Sequence, residues 1–138
     1  MGREGFKQLV VWQRAKDLAV QVYRLSESGS ISHDFSLRDQ IRRSAVSVAS
    51  NLAEGDERNR DLDSVRFFQI AKGSLAELRT QLQIAYEVGK LDKAVYANAE
   101  RDCDHLGNMI GRLIQARLQT ARRSPLAARP LKLAKKAP

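Results

Sequence analysis

The sequence predicts an all-α protein: an antiparallel up-down-up-down four-helix bundle with a basic C-terminal tail. Three observations predict it. Residues 1–121 contain no proline, and Pro125, Pro130 and Pro138 all fall in the tail. Proline breaks helices, so a body without it leaves long helices intact. Apolar residues recur at spacings of three and four through that body, which is the helical period. Only three breaks interrupt the period, so short connectors join four helices and make neighbours antiparallel. No segment reads as a strand longer than a few residues.

The first helix is expected from about Leu9 to Ser26, with Val11, Ala15, Leu18, Val22 and Leu25 on one face. The polar run Ser26–Ser32 is the first break. Ser36 is placed to cap the second helix, with Asp39 completing a capping box. Leu37, Ile41, Ala45, Val48 and Leu52 form its stripe, and Gly55 is expected to stop it in a left-handed conformation. The charged connector Asp56–Asp61 leads into a third helix from about Leu62 to Val88. Its stripe of Phe68, Ala71, Leu75, Leu78, Leu82 and Ala85 alternates three and four without a fault, and Gly89 ends it. Asp92 is a candidate cap for a fourth helix from about Lys93 to Ala121, with Leu91 and Tyr96 as a hydrophobic staple. Ala99, Cys103, Leu106, Ile110, Leu113 and Arg117 mark its inner line, and Met109, Ile114 and Leu118 add a second strip. The bundle is thus expected over residues 1–121 and an irregular basic tail over 122–138.

Composition sets limits on function. The chain has 138 residues, a formal net charge of +8 and 43% hydrophobic residues, which fits one globular domain with its own core. Arg122, Arg123, Arg129, Lys132, Lys135 and Lys136 give the tail six of those charges with no acidic residue. A basic arm on a nearly neutral body points to a polyanionic partner. A lone cysteine, Cys103, cannot form an internal disulfide, and a reducing, cytoplasmic setting follows. The N-terminal residues, with Arg3, Glu4 and Lys7, have no apolar run of signal length, and no stretch is apolar enough to cross a membrane.

The second helix is unusual. Ser44, Ala45, Ser47, Val48 and Asn51 cover a wide arc with small or faintly polar groups. Such an arc predicts a helix covered on two sides, by its own bundle and by a neighbouring subunit. Ser44, Ser47, Val48, Asn51, Glu54 and Gly55 are therefore candidate oligomer or helix-packing residues. Glu54 sits at an unfavourable helix C-terminus, which predicts that it pairs with an arginine or caps the next segment.

Catalytic constellations are thin. Asp102 and His105 share one helix face, but a helical di-metal site needs that motif twice, and the only other histidine is His33. Cys103 lies on an apolar stripe and reads as a buried, inert thiol. No glycine-rich phosphate loop is present. The expectation is no enzyme activity, no cofactor and no metal. Basic clusters are better represented. Arg38, Arg42 and Arg43 group on the second helix, Arg58, Arg60 and Arg66 at the next connector, and Arg101 and Arg112 on the fourth helix with His105 and Asn108. With Arg122, Arg123, Lys132, Lys135 and Lys136 these are the candidate nucleic-acid contacts, to phosphates and with little sequence preference. The alternative is a scaffold that docks an acidic protein such as a reverse transcriptase, with nucleic acid incidental.

Trp12 with Leu18 and Tyr23, the runs Gln40-Ile41-Arg42-Arg43-Ser44 and Asn51-Leu52-Ala53-Glu54-Gly55, then Phe67-Phe68, Ala71, Gly73-Ser74 and Glu77-Leu78 carry a family resemblance. Together they resemble the 23S rRNA-intervening sequence proteins, a group that the accessory protein of diversity-generating retroelements also resembles. The likeness covers about Phe6 to Leu118 and is most specific over Gln40–Gly55. It implies a four-helix bundle that assembles as a ring, commonly a homopentamer, without catalysis. It also implies a ribosomal or reverse-transcriptase partner and binding of RNA or DNA.

Overall fold

A computed structural model of the chain describes residues 5–123. Four helices carry it: α1 Val10–Leu25, α2 Phe35–Asp56, α3 Asp61–Glu87 and α4 Lys93–Arg123. Short 3-10 turns at Phe6–Gln8 and Ser30–His33 precede α1 and α2, and neither carries a periodic signal in the sequence. Among the described residues there is no strand.

Successive helices run in opposite senses. Ser44 of α2 meets Gln81 of α3, Ser47 meets Ser74, and Gly55 faces Phe68. Arg79 of α3 meets Glu100 of α4, and Tyr86 stacks on Tyr96 with centroids 4.8 Å apart. Arg42 near the start of α2 reaches Tyr23 and Ser26 at the end of α1. Each helix packs on two neighbours, in the cyclic order α1, α2, α3, α4.

The core follows the sequence periodicity closely. Val11, Ala15, Leu18 and Val22 of α1, Ile41, Ala45, Val48 and Leu52 of α2, and the whole α3 stripe from Phe68 to Ala85 are buried. On α4 the buried line runs through Ala99, Cys103, Leu106 and Ile110, then shifts to Ile114 and Ala121, while Leu113 is only half-buried. An α-helix turns every 3.6 residues, so over 31 residues a strict seven-residue repeat drifts off the inner face.

Helix ends depart from expectation in three places. Asp34, not Ser36, caps α2: its carboxylate accepts the Leu37 N–H at 3.1 Å. Ser36 lies inside the first turn and instead accepts from Gln40. Gly55 does not stop α2. It is helical and buried, and the helix continues to Asp56. A Cβ at Gly55 would stand 2.6 Å from Cε1 of Phe68 and 3.0 Å from the Ser64 carbonyl, so close packing sets this glycine and not turn geometry. Gly89 does behave as a stop, with φ of 80°. The Lys90 N–H bonds the Ala85 carbonyl at 2.7 Å and the Gly89 N–H bonds Tyr86, which closes the last turn of α3 as a Schellman motif. Finally, α4 runs through Arg122 and Arg123, so both are helical and not part of an irregular tail. Lys132, Lys135 and Lys136 lie outside the described residues.

The small arc of α2 has a covering inside the chain. The Ser44 hydroxyl donates to Gln81 Oε1 at 2.9 Å, the Ser47 and Ser74 hydroxyls are 2.8 Å apart, and Asn51 Nδ2 donates to the Ser47 carbonyl at 2.9 Å. Small side chains bring α2 and α3 close, and hydroxyls satisfy one another along the seam. Val48 is fully buried between the helices.

Candidate nucleic-acid interface

The predicted arginines fall into three groups. Arg42 is tethered. Its Nε donates to the Ser26 hydroxyl at 2.8 Å, and its guanidinium lies 4.6 Å from the Tyr23 ring centroid. Ser26 is fully buried and donates in turn to the Val22 carbonyl, so Arg42 stitches the end of α1 to α2. Arg38 bonds Asp39 and the Ser32 carbonyl and covers Phe35. Both arginines therefore serve the turn between α1 and α2, a role that non-local packing decides. Arg43, one residue on, points outward and is exposed.

A second group surrounds Phe67 at the opposite end of the bundle. Arg58 sits 4.5 Å from the ring centroid and pairs with Glu54 at 2.6 Å, while Arg66 lies 5.6 Å from the same ring. Glu54 thus meets the arginine that its position predicts. Arg60 is exposed beside them, at the start of α3. The Arg58 and Arg66 guanidinium groups both lie within cation–π range of the ring, and Arg58 is also engaged by Glu54.

The third group belongs to α4. Arg101 contacts Asn98, and His105 faces α1 beside Arg14 and Asp17. Asn108 and Arg112 turn toward α3, where they line a groove of about 950 Å³ with Lys72 and Arg79. The expected strip of Arg101, His105, Asn108 and Arg112 is therefore split between two sides of the helix. Arg79 is committed within the groove: it grips Glu100 through two nitrogens, at 2.5 and 3.3 Å, and stands 3.8 Å from Asp104. The hydrogen bond to Glu100 holds its pKa above the usual guanidinium value. Lys72 and Arg112 are exposed, and among the described residues neither has an acidic partner.

Sequence reading divided the charge at Arg122, but the more telling division is Asp104. Eight of the 24 Lys and Arg residues follow Asp104, where there is no Asp or Glu. The remaining sixteen cations are matched by the sixteen acidic residues before that point. All of the net positive charge therefore belongs to the second half of α4 and the chain beyond it. Lys72 and Arg79 were missed as site residues because nothing in the local sequence of α3 reveals which α4 side chains stand opposite.

Arg117 also has a structural explanation. It occupies an apolar register position because its guanidinium pairs with Asp56 at 3.0 Å and lies 5.3 Å from the Phe68 centroid. The Asp56 side chain is 0% exposed and that of Arg117 is 18% exposed. An arginine in a core stripe is the sequence signal for such a buried partner.

Cys103 is buried, and burial pushes its thiol up to about 12 from 9.0. The folded state thus holds the proton more tightly than the unfolded chain. The stability this contributes is complete below pH 9 and is lost as pH rises from about 9 toward 12. The native protein is expected to leave Ellman's reagent unreacted at pH 8 and to react fully once denatured. Rapid labelling of the native protein would contradict the buried thiol. Among the described residues, no three His, Cys, Asp or Glu side chains converge to hold a metal ion, and no helix is long and apolar enough to cross a membrane.

Comparison with known proteins places this architecture. No curated protein sequence matches the chain. A crystal structure from Bacteroides thetaiotaomicron, described as a protein of unknown function from the S23 ribosomal protein family, superposes with a TM-score of 0.69 at 19% identity. The match covers 75% of this chain and 97% of that one, and at this identity it shows a shared fold. The family model described as 23S rRNA-intervening sequence protein matches residues 7–112. The matched span takes in most of the bundle, including the α2–α3 seam, and the chain belongs to the 23S rRNA-intervening sequence protein family.

Proposed function

We propose that this protein is a non-catalytic, homo-oligomeric helical bundle, most simply a pentamer, that binds nucleic acid or a nucleoprotein through its basic surfaces. The observation that carries the reading is the separation of charge: a neutral chain up to Asp104 and an acid-free, cationic remainder. Such an arrangement is an electrostatic footprint for phosphates. The family description, which names 23S rRNA intervening sequences, favours RNA or an RNA-associated partner, of the ribosomal or the retroelement-accessory type. Self-association has its own support. Phe6, Trp12, Val20, Tyr23 and Val46 line a groove of about 550 Å³ between α1 and α2. Val20, Tyr23 and Val46 there are 42%, 44% and 42% exposed, an apolar strip that a second copy of the chain could cover. Repeating each weak basic patch around an oligomer multiplies its effect.

The test is a salt series. The full chain is expected to shift single-stranded RNA and DNA at low salt, with affinity falling by about a hundredfold or more between 50 and 200 mM salt, as several phosphate contacts require. Light scattering on the same sample is expected to give a mass several times that of one chain. Absence of a shift at low salt overturns the nucleic-acid reading, and a monomeric mass overturns the oligomer.

A further inference from the structure

We infer that the groove between α3 and α4 is a track for the sugar–phosphate backbone of one nucleic-acid strand. The inference rests on the nucleic-acid reading above and assigns it a place. Lys72 on the α3 wall and Arg112 on the α4 wall face a common space, and among the described residues neither makes an ion pair. Arg79, committed to Glu100, and the exposed Asp104 close one end of the groove. From there the lining contains no further acid, and Gln119 at the far end is one helical turn from Arg122 and Arg123. A strand lying in the groove thus meets cations along its length and continues toward the most basic part of the chain.

The floor fits a backbone better than it fits a protein core. Gly107 and Gly111 of α4 lie at the groove, and nothing stands within 4 Å of where a Gly111 Cβ would be. Packing within the chain does not demand glycine there, and alanine is the better helix former. A missing side chain is useful where another backbone or a phosphate comes close to the helix. No aromatic side chain lines the groove, so bases find no stacking platform and contact falls on phosphates. Axes of helices in contact stand about 8–10 Å apart, so the furrow along their outer surface is narrow, and a strand would lie along it and not between the helices.

Fluorescence anisotropy with a labelled oligouridylate, titrated across a salt series, tests the assignment. Lys72→Ala/Arg112→Ala is expected to weaken binding about tenfold at low salt and to reduce the salt slope by about 1.4, the value for two lost single-strand contacts. Gly111→Leu changes no charge and fills open space. It is expected to weaken binding several-fold while thermal melting stays at or above that of the unsubstituted protein. Arg14→Ala/Lys93→Ala, which removes the same charge from exposed positions away from the groove, is expected to change affinity less than threefold. If the unsubstituted protein binds but the groove variants bind as well as it does, or no worse than the Arg14/Lys93 control, the groove assignment falls and the broader reading stands. If the unsubstituted protein shows no salt-dependent binding, both fall.

Discussion

Arg117→Met is expected to destabilise the bundle by about 3 kcal/mol, toward the lower end of what removing one partner of a buried ion pair costs. The reason lies in Asp56. Its carboxylate is fully covered and receives the Arg117 Nη2 at 3.0 Å. Methionine fills much the same volume and keeps the contact with Phe68, so the loss is chiefly that of the Arg117 charge facing the buried Asp56 carboxylate. Because Arg117 retains some exposure, water recovers part of the penalty, which places the effect below the upper limit of about 5 kcal/mol. Urea unfolding of Arg117→Met, Asp56→Asn and the double variant gives the coupling. The double variant is expected to be more stable than the Arg117→Met single, since it removes the buried carboxylate charge as well. A single variant within 0.5 kcal/mol of the unsubstituted protein would show that Asp56 is solvated or satisfied without Arg117.

Gly55→Ala is expected to cost about 2 kcal/mol, although alanine in a helix ordinarily gains about 1 kcal/mol over glycine. The new methyl would lie 2.6 and 2.8 Å from two carbons of the Phe68 ring and 3.0 Å from the Ser64 carbonyl. Phe68 is fully buried, so its ring cannot swing into solvent, and α2 must move away from α3. Separation would also stretch the Ser47–Ser74 bond at 2.8 Å. Gly73→Ala is the internal control: it lies on the neighbouring helix with nothing within 4 Å of the added Cβ. It is expected to raise stability by a few tenths to about 1 kcal/mol. Thermal melts of the two variants are therefore expected to shift in opposite directions. A Gly55→Ala variant at least as stable as the unsubstituted protein would show that the seam yields more easily than its contacts indicate.

These two glycines and Gly89 show what a sequence reveals and what it withholds. Gly89 was legible as a helix stop because the surrounding signals are local: periodicity fails after it and a new cap follows. Gly55 carries the same signals, with a charged connector after it, yet it is a packing residue because Phe68, thirteen positions later, occupies the space of its side chain. The helices and the core stripes were readable for the same reason as Gly89, since spacing of three and four is a local pattern. The arginines were not. Arg42 and Arg43 are adjacent, but one reaches a buried serine on another helix and the other faces water. Separating them requires knowing where α1 ends in space. The groove residues Lys72 and Arg112, forty positions apart, meet only once α3 and α4 are aligned. The acid-free run after Asp104, by contrast, is a local property and is legible in the sequence.

The last turns of α4 have a consequence for how the protein can be shortened. The family model ends at residue 112, yet Ile114, Arg117 and Ala121 each fill a place in the interior. A cut just past the matched region would discard a wedge of the core together with the arginine that pairs with the buried Asp56 carboxylate. Truncation that reaches into α4 removes cations and core side chains together, because Arg122 and Arg123 follow directly on the buried Ala121. Cationic reach and structural integrity are thus welded into one helix, and neither can be trimmed away for long without the other.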